Sequence, residues 1–428
     1  MIDQRQLIEA ISSFAETINL SDQKATDLFR HVFADTITHT ITVRETGEVF
    51  VATGDIPAMW LRDSTFQVLP YLEVATKIPE ISAFVHGVLK QQLTYIKLDP
   101  YANAFNWESN DRHYSEDQSN VAISPQVWER KFEIDSLCTP FLLAYQLYWQ
   151  TGYTKHLTEE FWQVVAEVME VFIQEQHHET SPYFFQRKNC PPSDTLPNDG
   201  RGTAVGYTGM VWSGFRPSDD ACQYGYFIPG NQMIVVIIRQ LLQLIPSTKK
   251  ALKEKMLKLQ GEIEQGIETY GLLVDEQGQR YYAYEVDGLG GQLFMDDANV
   301  PSLLSLPFLG YCSTQNKRYC LTRQKILSPE NPYFYTGALL EGIGSPHTPP
   351  DYVWPISLAM EGLTSENLTL VAEKINLIAH TDADTLQCHE GIDVNNPQNY
   401  TREWFSWANM TYCKLVFHYL NLKNKSRR

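Results

Sequence analysis

The segment WSGFRPSDDACQYGYFIPGNQMIVVIIRQLLQLI, residues 212–245, contains the pattern that sets the fold of this chain. It opens as a loop with two adjacent acids, Asp219 and Asp220, and it continues into an apolar stretch near 227–245. We predict that this stretch is a helix with Pro229 in its first turn, where proline is favoured because the amide hydrogen it lacks would have no partner there. An acidic loop that leads into a helix started by proline is the unit to look for elsewhere.

Polar residues precede several other helices along the chain, often with proline in the first turns. The positions are Asp63 before a helix, Asp135 near Pro140, Asp296 and Asp297 before Pro301, and His347 before Pro349 and Pro350. Helix capping accounts for each aspartate taken singly, because a carboxylate stabilises the free amides of a first turn. If alternate helices form an inner ring, however, their first turns share one end, and we expect these polar residues to converge on one cavity.

Helical periodicity dominates the remaining sequence. Apolar side chains at three- and four-residue steps predict about twelve helices, and strand-like pieces are few. The helices are expected around Ile8–Ile18 and Phe29–Ile37 and near 65–78, 82–98, 134–150, 157–176, 227–245, 248–268, 298–309, 317–327, 352–363, 367–379 and 401–421, and the strands at Thr40–Val43, Val49–Ala52, Leu272–Val274 and Tyr281–Tyr284. The fold class predicted is all-α dominated, an (α/α)6 toroid with a few short β-strands, in one domain over residues 1–428.

The composition excludes several kinds of partner. The 428 residues include 51 Asp and Glu but only 34 Lys and Arg, so the net charge is −17. Nucleic acid and anionic membranes both need a basic surface, so neither is an expected partner. The longest aliphatic run, Met233 to Ile238, is too short to span a bilayer. Seven scattered cysteines without a CxxC pair favour reduced thiols and a cytoplasmic location, and we expect a monomer or a weak oligomer.

Two acidic patches far apart in sequence point to chemistry on an acetal. One is Ser218-Asp219-Asp220, and the other is His389-Glu390-Gly391. Cleaving an acetal needs one carboxylic acid to protonate the departing oxygen and a second carboxylate to activate water or to attack the sugar carbon. Tryptophans flank both patches, and aromatic faces hold sugar rings. Glycoside hydrolysis is therefore the leading hypothesis, with Glu390 as the base and either Asp219 or Asp220 as the acid.

Other loops supply residue types that bind sugar hydroxyls. Trp60 offers a platform, and Arg62 and Asp63 form a donor and acceptor pair. Further candidates are Asn106, Glu129, Asp135, Arg216, Asp220 and His347. Each has an ordinary structural alternative, such as an Asx-turn for Asn106. The acids at 129–135 can hold mannose-like hydroxyls or neutralise Arg130 and Lys131. Trp404 and Trp407, predicted to share a face of the last helix, are more often explained by core packing.

We expect no metal and no cofactor. His347 has acids in the chain as possible co-ligands, but no HExxH motif or equivalent spacing occurs. The run Asp296-Asp297-Ala298-Asn299 lacks the alternation and the twelfth-position glutamate of an EF-hand.

Seven segments together resemble family 125 of the glycoside hydrolases, which comprises bacterial and fungal exo-acting α-1,6-mannosidases. They are TGDIPAMWLRDS, DPYANAFN, VWERKFEIDSLC, TGMVWSGFRPSDDACQYGY, FMDDANVPSLLS, IGSPHTP and CHEG, in the family's order, and the similarity runs from about residue 30 to 418. The resemblance implies an (α/α)6 fold, hydrolysis with inversion, release of mannose from non-reducing ends, and no metal. It also implies that Asp219 is the acid and Glu390 the base. Trp60, Arg62, Asp63 and His347 fall in runs similar to the sugar-binding loops.

The sequence thus predicts a cytoplasmic, inverting exo-α-1,6-mannosidase whose partners are α-mannoside oligosaccharides or N-glycan fragments. Two alternatives remain. One is another toroid glycosidase such as a glucosidase, or a lyase, although a lyase needs a basic pocket for uronic acids. The other is a carbohydrate-binding protein without turnover, which would be expected to have lost one of the carboxylates, whereas both are present.

Overall fold

The computed structural model describes residues 3–426, and helices dominate it. The fourteen α-helices of this range are α1 (Gln4–Ala15), α2 (Gln23–His39), α3 (Leu61–Val68), α4 (Glu80–Leu98), α5 (Ile134–Thr151), α6 (Glu159–Glu175), α7 (Pro197–Gly200), α8 (Ile228–Leu244), α9 (Lys250–Tyr270), α10 (Leu306–Leu309), α11 (Lys317–Ile326), α12 (Pro355–Leu363), α13 (Leu368–His380) and α14 (Ser406–Ser426). A 3-10 helix, Leu69–Val74, extends α3. The prediction of a helix-dominated chain is confirmed.

The strands are two or three residues long and pair antiparallel in seven small sheets across residues 3–426. They are β1 (Ile41–Val43), β2 (Val49–Val51), β3 (Met59–Trp60), β4 (Ala104–Phe105), β5 (Asp117–Ser119), β6 (Val127–Glu129), β7 (Phe185–Arg187), β8 (Tyr226–Phe227), β9 (Leu272–Val274), β10 (Arg280–Tyr282), β11 (Glu285–Val286), β12 (Gln292–Leu293), β13 (Phe334–Thr336), β14 (Glu341–Ile343), β15 (Tyr352–Val353), β16 (Gly391–Asp393) and β17 (Tyr400–Thr401). The four strands predicted from sequence correspond to β1, β2, β9 and β10.

Inner and outer helices alternate along the chain. The inner helix α5 packs between α3 and α8, and α14 packs against α3 and α12. The outer helices cover them, with α4 on α5, α9 on α8 and α13 on α12. Burial follows the same division, because α8 is buried from Ile228 to Ile238 whereas α9 buries five of its 21 residues. This alternation is the arrangement expected for six inner and six outer helices.

One inner position departs from the sequence prediction. A helix was expected over 298–309, but only Leu306–Leu309 is helical. Pro301 disfavours a helical residue before it, and the Asp296 carboxylate accepts the amides of Leu303 and Leu304 at 2.8 and 2.9 Å instead. Residues 298–305 therefore run as turns along the inside of the ring.

The inner helices begin at the same end of the molecule. Trp60 precedes α3, Glu133 precedes α5, and Phe405 precedes α14. The paired strands β3, β4 and β6 connect the first turns of α3 and α5. The predicted convergence of polar residues at the starts of alternate helices is therefore observed. Within residues 3–426, no helix combines the length and apolarity needed to cross a membrane.

Candidate active site

A cavity of about 270 Å³ lies at the end of the ring where the inner helices begin. Its wall combines carboxylates, cations and aromatic rings from stretches of the chain that are far apart in sequence. The lining includes Thr53, Trp60, Arg62, Asp63, Tyr114, Glu129, Lys131, Asp194, Asp219, Asn299, His347, Trp354, Glu390, Arg402, Phe405 and Trp407. The structure thus brings seven of the residues predicted from sequence onto one wall, including both proposed catalytic carboxylates.

A tight turn directs Asp219 into this cavity. The amide of Arg216 donates to the carbonyl of Asp220 at 2.8 Å, and the amide of Asp219 donates to the carbonyl of Arg216 at 2.9 Å. Asp219 itself takes a left-handed conformation with a φ of +66°. Its neighbour Asp220 lies off the cavity wall and contacts Ser218 and His347. The two adjacent acids therefore have different surroundings, as expected for side chains in a loop.

Cations surround the Asp219 carboxylate. Burial opposes its ionisation, but Lys131 and Arg62 outweigh burial and lower the pKa of Asp219 to about 2. Lys131 Nζ also donates to the backbone carbonyl of Asp219 at 2.7 Å and to Asp194 Oδ1 at 2.5 Å. Asp219 is thus anionic at neutral pH, which matters because a general acid must carry a proton when the bond breaks.

Glu390 is held at the start of the three-stranded sheet β15-β16-β17. Its amide donates to the carbonyl of Thr401 at 3.1 Å. The preceding residue, His389, is buried, contacts the carbonyls of Glu403 and Asp382, and stacks on Tyr400. His389 is therefore a structural residue that fixes the loop, and Glu390 projects to the cavity.

Arg402 lies beside Glu390 and was not predicted from sequence. Its Nη1 atom is 3.7 Å from Glu390 Oε1. Asp55 binds the same guanidinium through Nε and Nη2 at 2.5 to 3.2 Å, and the ring of Phe405 packs against it at 4.2 Å. Glu390 thus has a cation at a fixed position next to it.

A buried group of carboxyls surrounds Arg62. Its Nη1 atom donates to Glu133 Oε2 at 2.5 Å and to Asp135 Oδ2 at 3.1 Å, and Nε is 3.4 Å from Asp63 Oδ1. Burial raises the pKa of all three carboxyls, and Arg62 opposes the rise. The acids that follow Trp128 were expected to bind hydroxyls or to neutralise Arg130 and Lys131. Arg130 pairs with Asp99 instead, Lys131 Nζ lies 3.6 Å from Glu129 Oε1, and Glu133 and Asp135 contact Arg62.

His347 stands at the cavity wall with its side chain 38% exposed. Its Nδ1 atom is 3.4 Å from Asp220 Oδ1. Burial opposes protonation, but Asp220, Glu390 and Asp219 raise the pKa of His347 to about 9. The imidazole is therefore a cation at neutral pH, close to both proposed catalytic groups.

Four of the predicted sugar ligands lie behind the wall. Asn106 donates to the carbonyl of Arg112 at 2.7 Å, and Arg216 pairs with the buried Glu285 at 2.5 Å. Asp135 is bound to Arg62, and Asp220 to His347. Direct contact with a sugar is not supported for these four, because none of them lines the cavity. They hold the wall in place instead.

Several functional candidates were absent from the sequence prediction. Lys131, Arg402, Trp354, Phe405 and Trp407 all line the cavity. Trp407 was assigned to the core, and it is in fact both buried and on the wall, stacked on Phe66 at 5.6 Å. Trp404 is not on the last helix, which begins at Ser406, and its indole donates to Asp35. Lys131 follows Glu129 closely in the sequence, and a cation next to an acidic loop residue is the signal that would have identified it.

Over residues 3–426 there is no cluster of three or more His, Cys, Asp and Glu side chains arranged to hold a metal ion. The cations of the site are protein groups, Arg62, Lys131, His347 and Arg402. The charge that chemistry in this cavity needs can come from these side chains.

Comparisons with known proteins identify the family of this chain. The family model described as metal-independent alpha-mannosidase (GH125) matches residues 22–417. A solved α-mannosidase of this metal-independent kind from Streptococcus pneumoniae, in a non-productive complex with α-1,6-mannobiose, is 42% identical, with a TM-score of 0.92 over 97% of this chain and 98% of that one. The Meiotically up-regulated gene 157 protein of Schizosaccharomyces pombe is 36% identical over 94% of this chain and 84% of its own length.

A more distantly related glycosidase shares the fold. A GH78 rhamnosidase of Bacillus sp. GL1 superposes with a TM-score of 0.56 over 93% of this chain and 35% of that one, at 14% identity, which shows the shared fold alone. The helical ring and its cavity of carboxylates, cations and aromatic rings define a glycoside hydrolase. Within that class, the chain belongs to the metal-independent α-mannosidase family, GH125.

Proposed function

We propose that this α-mannosidase is exo-acting, cleaves α-1,6-linked mannosides, and inverts the anomeric configuration. The observation that carries the proposal is that Asp219 and Glu390, remote in sequence, line one small cavity together with Trp60, Arg62 and His347. Asp219 protonates the glycosidic oxygen, and Glu390 removes a proton from the water that attacks the anomeric carbon. The α-1,6 linkage is supported by the mannobiose bound to the Streptococcus pneumoniae relative.

The size of the cavity supports action at a chain end. At about 270 Å³ it lies just below the usual range of roughly 300–1,000 Å³ for ligand pockets, so it has room for one terminal sugar rather than for an extended chain. Trp60, Trp354 and Trp407 provide apolar walls, and Asp63 and Glu129 provide acceptors for hydroxyls.

The remaining features are proposals drawn from the sequence. The substrates are α-mannoside oligosaccharides such as N-glycan fragments, and the enzyme works in the cytoplasm without a cofactor, as a monomer or a weak oligomer. The seven unpaired cysteines at 138, 190, 222, 312, 320, 388 and 413 support a reducing location.

A panel of mannobioses tests the substrate. The enzyme is incubated with α-1,6-, α-1,3- and α-1,2-mannobiose, free mannose is quantified, and proton NMR identifies the first-formed anomer. We expect mannose from the α-1,6 isomer, released first as the β-anomer. Equal rates on all three isomers would remove the linkage assignment, and initial α-mannose would remove inversion.

Amide variants test the two carboxylates. Glu390→Gln and Asp219→Asn should each lower kcat on α-1,6-mannobiose by about 10²–10⁴-fold, with a melting temperature close to that of the wild type. If Glu390→Gln retained most of the activity, the assignment of the base would be wrong.

A further inference from the structure

Three carboxyl groups converge on one buried amide beside the catalytic acid. Asn103 Nδ2 lies 3.0 Å from Glu129 Oε2, 3.2 Å from Glu133 Oε1 and 3.2 Å from Asp219 Oδ1. The Asn103 carbonyl oxygen accepts the Lys131 amide at 3.2 Å, which fixes the orientation of the side chain. An amide NH₂ has only two hydrogens for these three acceptors. At least one of the three carboxyl groups is therefore stabilised by being protonated, because a protonated carboxyl can itself donate a hydrogen bond.

Glu129 is the member of the trio that needs no proton. Arg187 Nη2 donates to Glu129 Oε1 at 2.8 Å, and Lys131 Nζ is 3.6 Å from the same oxygen. Two cations thus neutralise this carboxylate. The proton is thus left to Glu133 and Asp219, whose carboxyl oxygens both lie 3.2 Å from the Asn103 amide nitrogen.

The surroundings favour Glu133 as the site of that proton. The Glu133 side chain is fully buried and is not on the cavity wall. Burial raises its pKa well above the usual value, Arg62 opposes the rise, and the negative charges of Asp219 and Asp135 add to it. The charged or titratable groups around the pair are Arg62, Asp63, Glu129, Lys131, Asp135 and His347.

We propose that Glu133 holds the proton that Asp219 delivers to the leaving-group oxygen, so that the two carboxyl groups act as a single acid. This proposal rests on the function proposed above. Glu133 acts through Asp219 and is a positioning residue, because it does not face the sugar.

A proton moves from the Glu133 carboxyl to Asp219, a proton moves from Asp219 to the glycosidic oxygen, and the bond from that oxygen to the anomeric carbon breaks with its electron pair on the oxygen. Water forms the new bond to the carbon and gives its proton to Glu390. Both members of the pair end ionised, and exchange with solvent returns the proton from Glu390 to them.

Leaving-group dependence tests the proposal. Wild type, Glu133→Gln and Asp219→Asn are compared on α-1,6-mannobiose, whose leaving oxygen needs a proton, and on α-mannosyl fluoride, whose fluoride departs as an anion. Glutamine preserves the shape and the polarity of the side chain, but it has no acidic proton to transfer. We expect Glu133→Gln to lose about 100-fold or more on mannobiose and to stay within about fivefold of wild type on the fluoride, the same pattern as Asp219→Asn.

Equal losses on both substrates, or no loss on mannobiose, would overturn the proposal. Glu129→Gln is the matched control, because it changes the same atoms beside the same amide, and its losses should be parallel on the two substrates. If the wild type hydrolysed neither substrate, the proposed function itself would fail, which is a different result.

A second variant covers the case in which Glu133→Gln does not fold. Ser136 Oγ donates to Glu133 Oε2 at 2.9 Å and so stabilises the ionised carboxylate. Ser136→Ala should make the pair hold its proton more strongly. The alkaline limb of the kcat/KM profile on mannobiose should then move to higher pH by about half a unit to one unit. An unmoved limb would contradict the proposal.

Discussion

Asp219 has a φ of +66°, a backbone conformation that Asp and Asn adopt far more readily than other L-residues with a Cβ atom. The turn that imposes it sends Asp219 to the cavity and Asp220 to His347. Asparagine at 219 keeps this backbone preference, whereas alanine adds strain. Asp219→Asn is therefore the variant that separates the chemistry of the carboxyl from the shape of the loop.

Arg402 is the residue on which the orientation of the base depends. It lies between Asp55 and Glu390, and its backbone has a φ of +45°. We expect Arg402→Met to lower kcat on mannobiose by about 10- to 100-fold, because a small misplacement of a catalytic group has that cost. Asp55→Asn should give a smaller loss, since Arg402 itself remains.

The matched control for Arg402 is Arg239→Met. Arg239 also pairs with a glutamate, Glu264, at 2.7 Å, but this pair is on the outer surface. Its kcat should equal that of wild type. A variant of Arg402 with wild-type kcat would show that Glu390 is held by its loop alone.

His347 should make stability depend on pH in the alkaline range. Its pKa is raised from 6.5 to about 9, chiefly by Asp220 against the opposing effect of burial. A raised folded-state pKa stabilises the protein below the unfolded value, and this contribution is lost as pH rises through the folded value. The melting temperature of wild type should therefore exceed that of His347→Gln below pH 6.5, and the difference should vanish above pH 9. A difference independent of pH would assign His347 to packing.

At this scale the sequence identified types of residue better than it identified contacts. Asp219, Glu390, Arg62 and Trp60 were selected because acids, cations and aromatic rings precede helices. Asp135 and Arg216 satisfied the same pattern, but each is bound by a buried partner from a distant segment. Only the folded chain shows which member of an acidic loop reaches the cavity.

At the level of secondary-structure elements, the packing of helix α5 against helix α8 supports the catalytic acid. Gly230, in the first turn of α8, packs against Ile134, the residue between Glu133 and Asp135. A Cβ atom at position 230 would lie 2.6 Å from Ile134 Cδ1 and 2.7 Å from Ile134 Cγ1. The close approach of the two helices therefore depends on the absence of a side chain here.

Gly230→Ala should push the first turn of α5 away from α8. We expect a loss of about 1–3 kcal/mol in the free energy of unfolding from overpacking, measured by denaturant titration, together with a lower kcat, because Glu133 and Asp135 move with Ile134. An unchanged free energy of unfolding would show that α8 can move to accommodate the added methyl group without a cost in stability.

Gly261→Ala is the matched control within α9. Nothing lies within 4 Å of a Cβ atom at this exposed position. Alanine should raise the free energy of unfolding by about 0.5–1 kcal/mol, because glycine has a poor helix propensity, and it should leave kcat unchanged.

The helices were predictable because their signals are local. The segment near 227–245 is helical over Ile228–Leu244, and the one near 367–379 is helical over Leu368–His380. The stretch 298–309 failed because Asp296, which lies outside it, accepts the amides that a helix would have used. Strands such as β3 and β4 are two residues long, and they form only because they pair with each other in the folded chain. The sequence therefore has no periodicity that predicts them.

In the molecule as a whole, the ring of helices forms the rigid bottom of the cavity, and the loops form its opening. Segment 108–122 is largely exposed, and it carries Tyr114, which is 56% exposed and lines the cavity. Arg187 packs against the Tyr114 ring at 4.8 Å. Loops of this kind open at low energy cost, and ligand binding stabilises them when they contact the ligand.

Trypsin should report this coupling between loop and cavity. Arg112 lies in the exposed segment beside Tyr114, and Arg280 lies in the exposed β9-β10 hairpin, whose residues are absent from the cavity wall. With the inactive Glu390→Gln variant, α-1,6-mannobiose should slow cleavage after Arg112 while cleavage after Arg280 proceeds at the same rate, as followed by mass spectrometry. Sugar that binds without protecting Arg112 would show that the loop lies outside the bound complex. Protection at both sites would mean that the sugar stabilises the entire ring rather than its mouth.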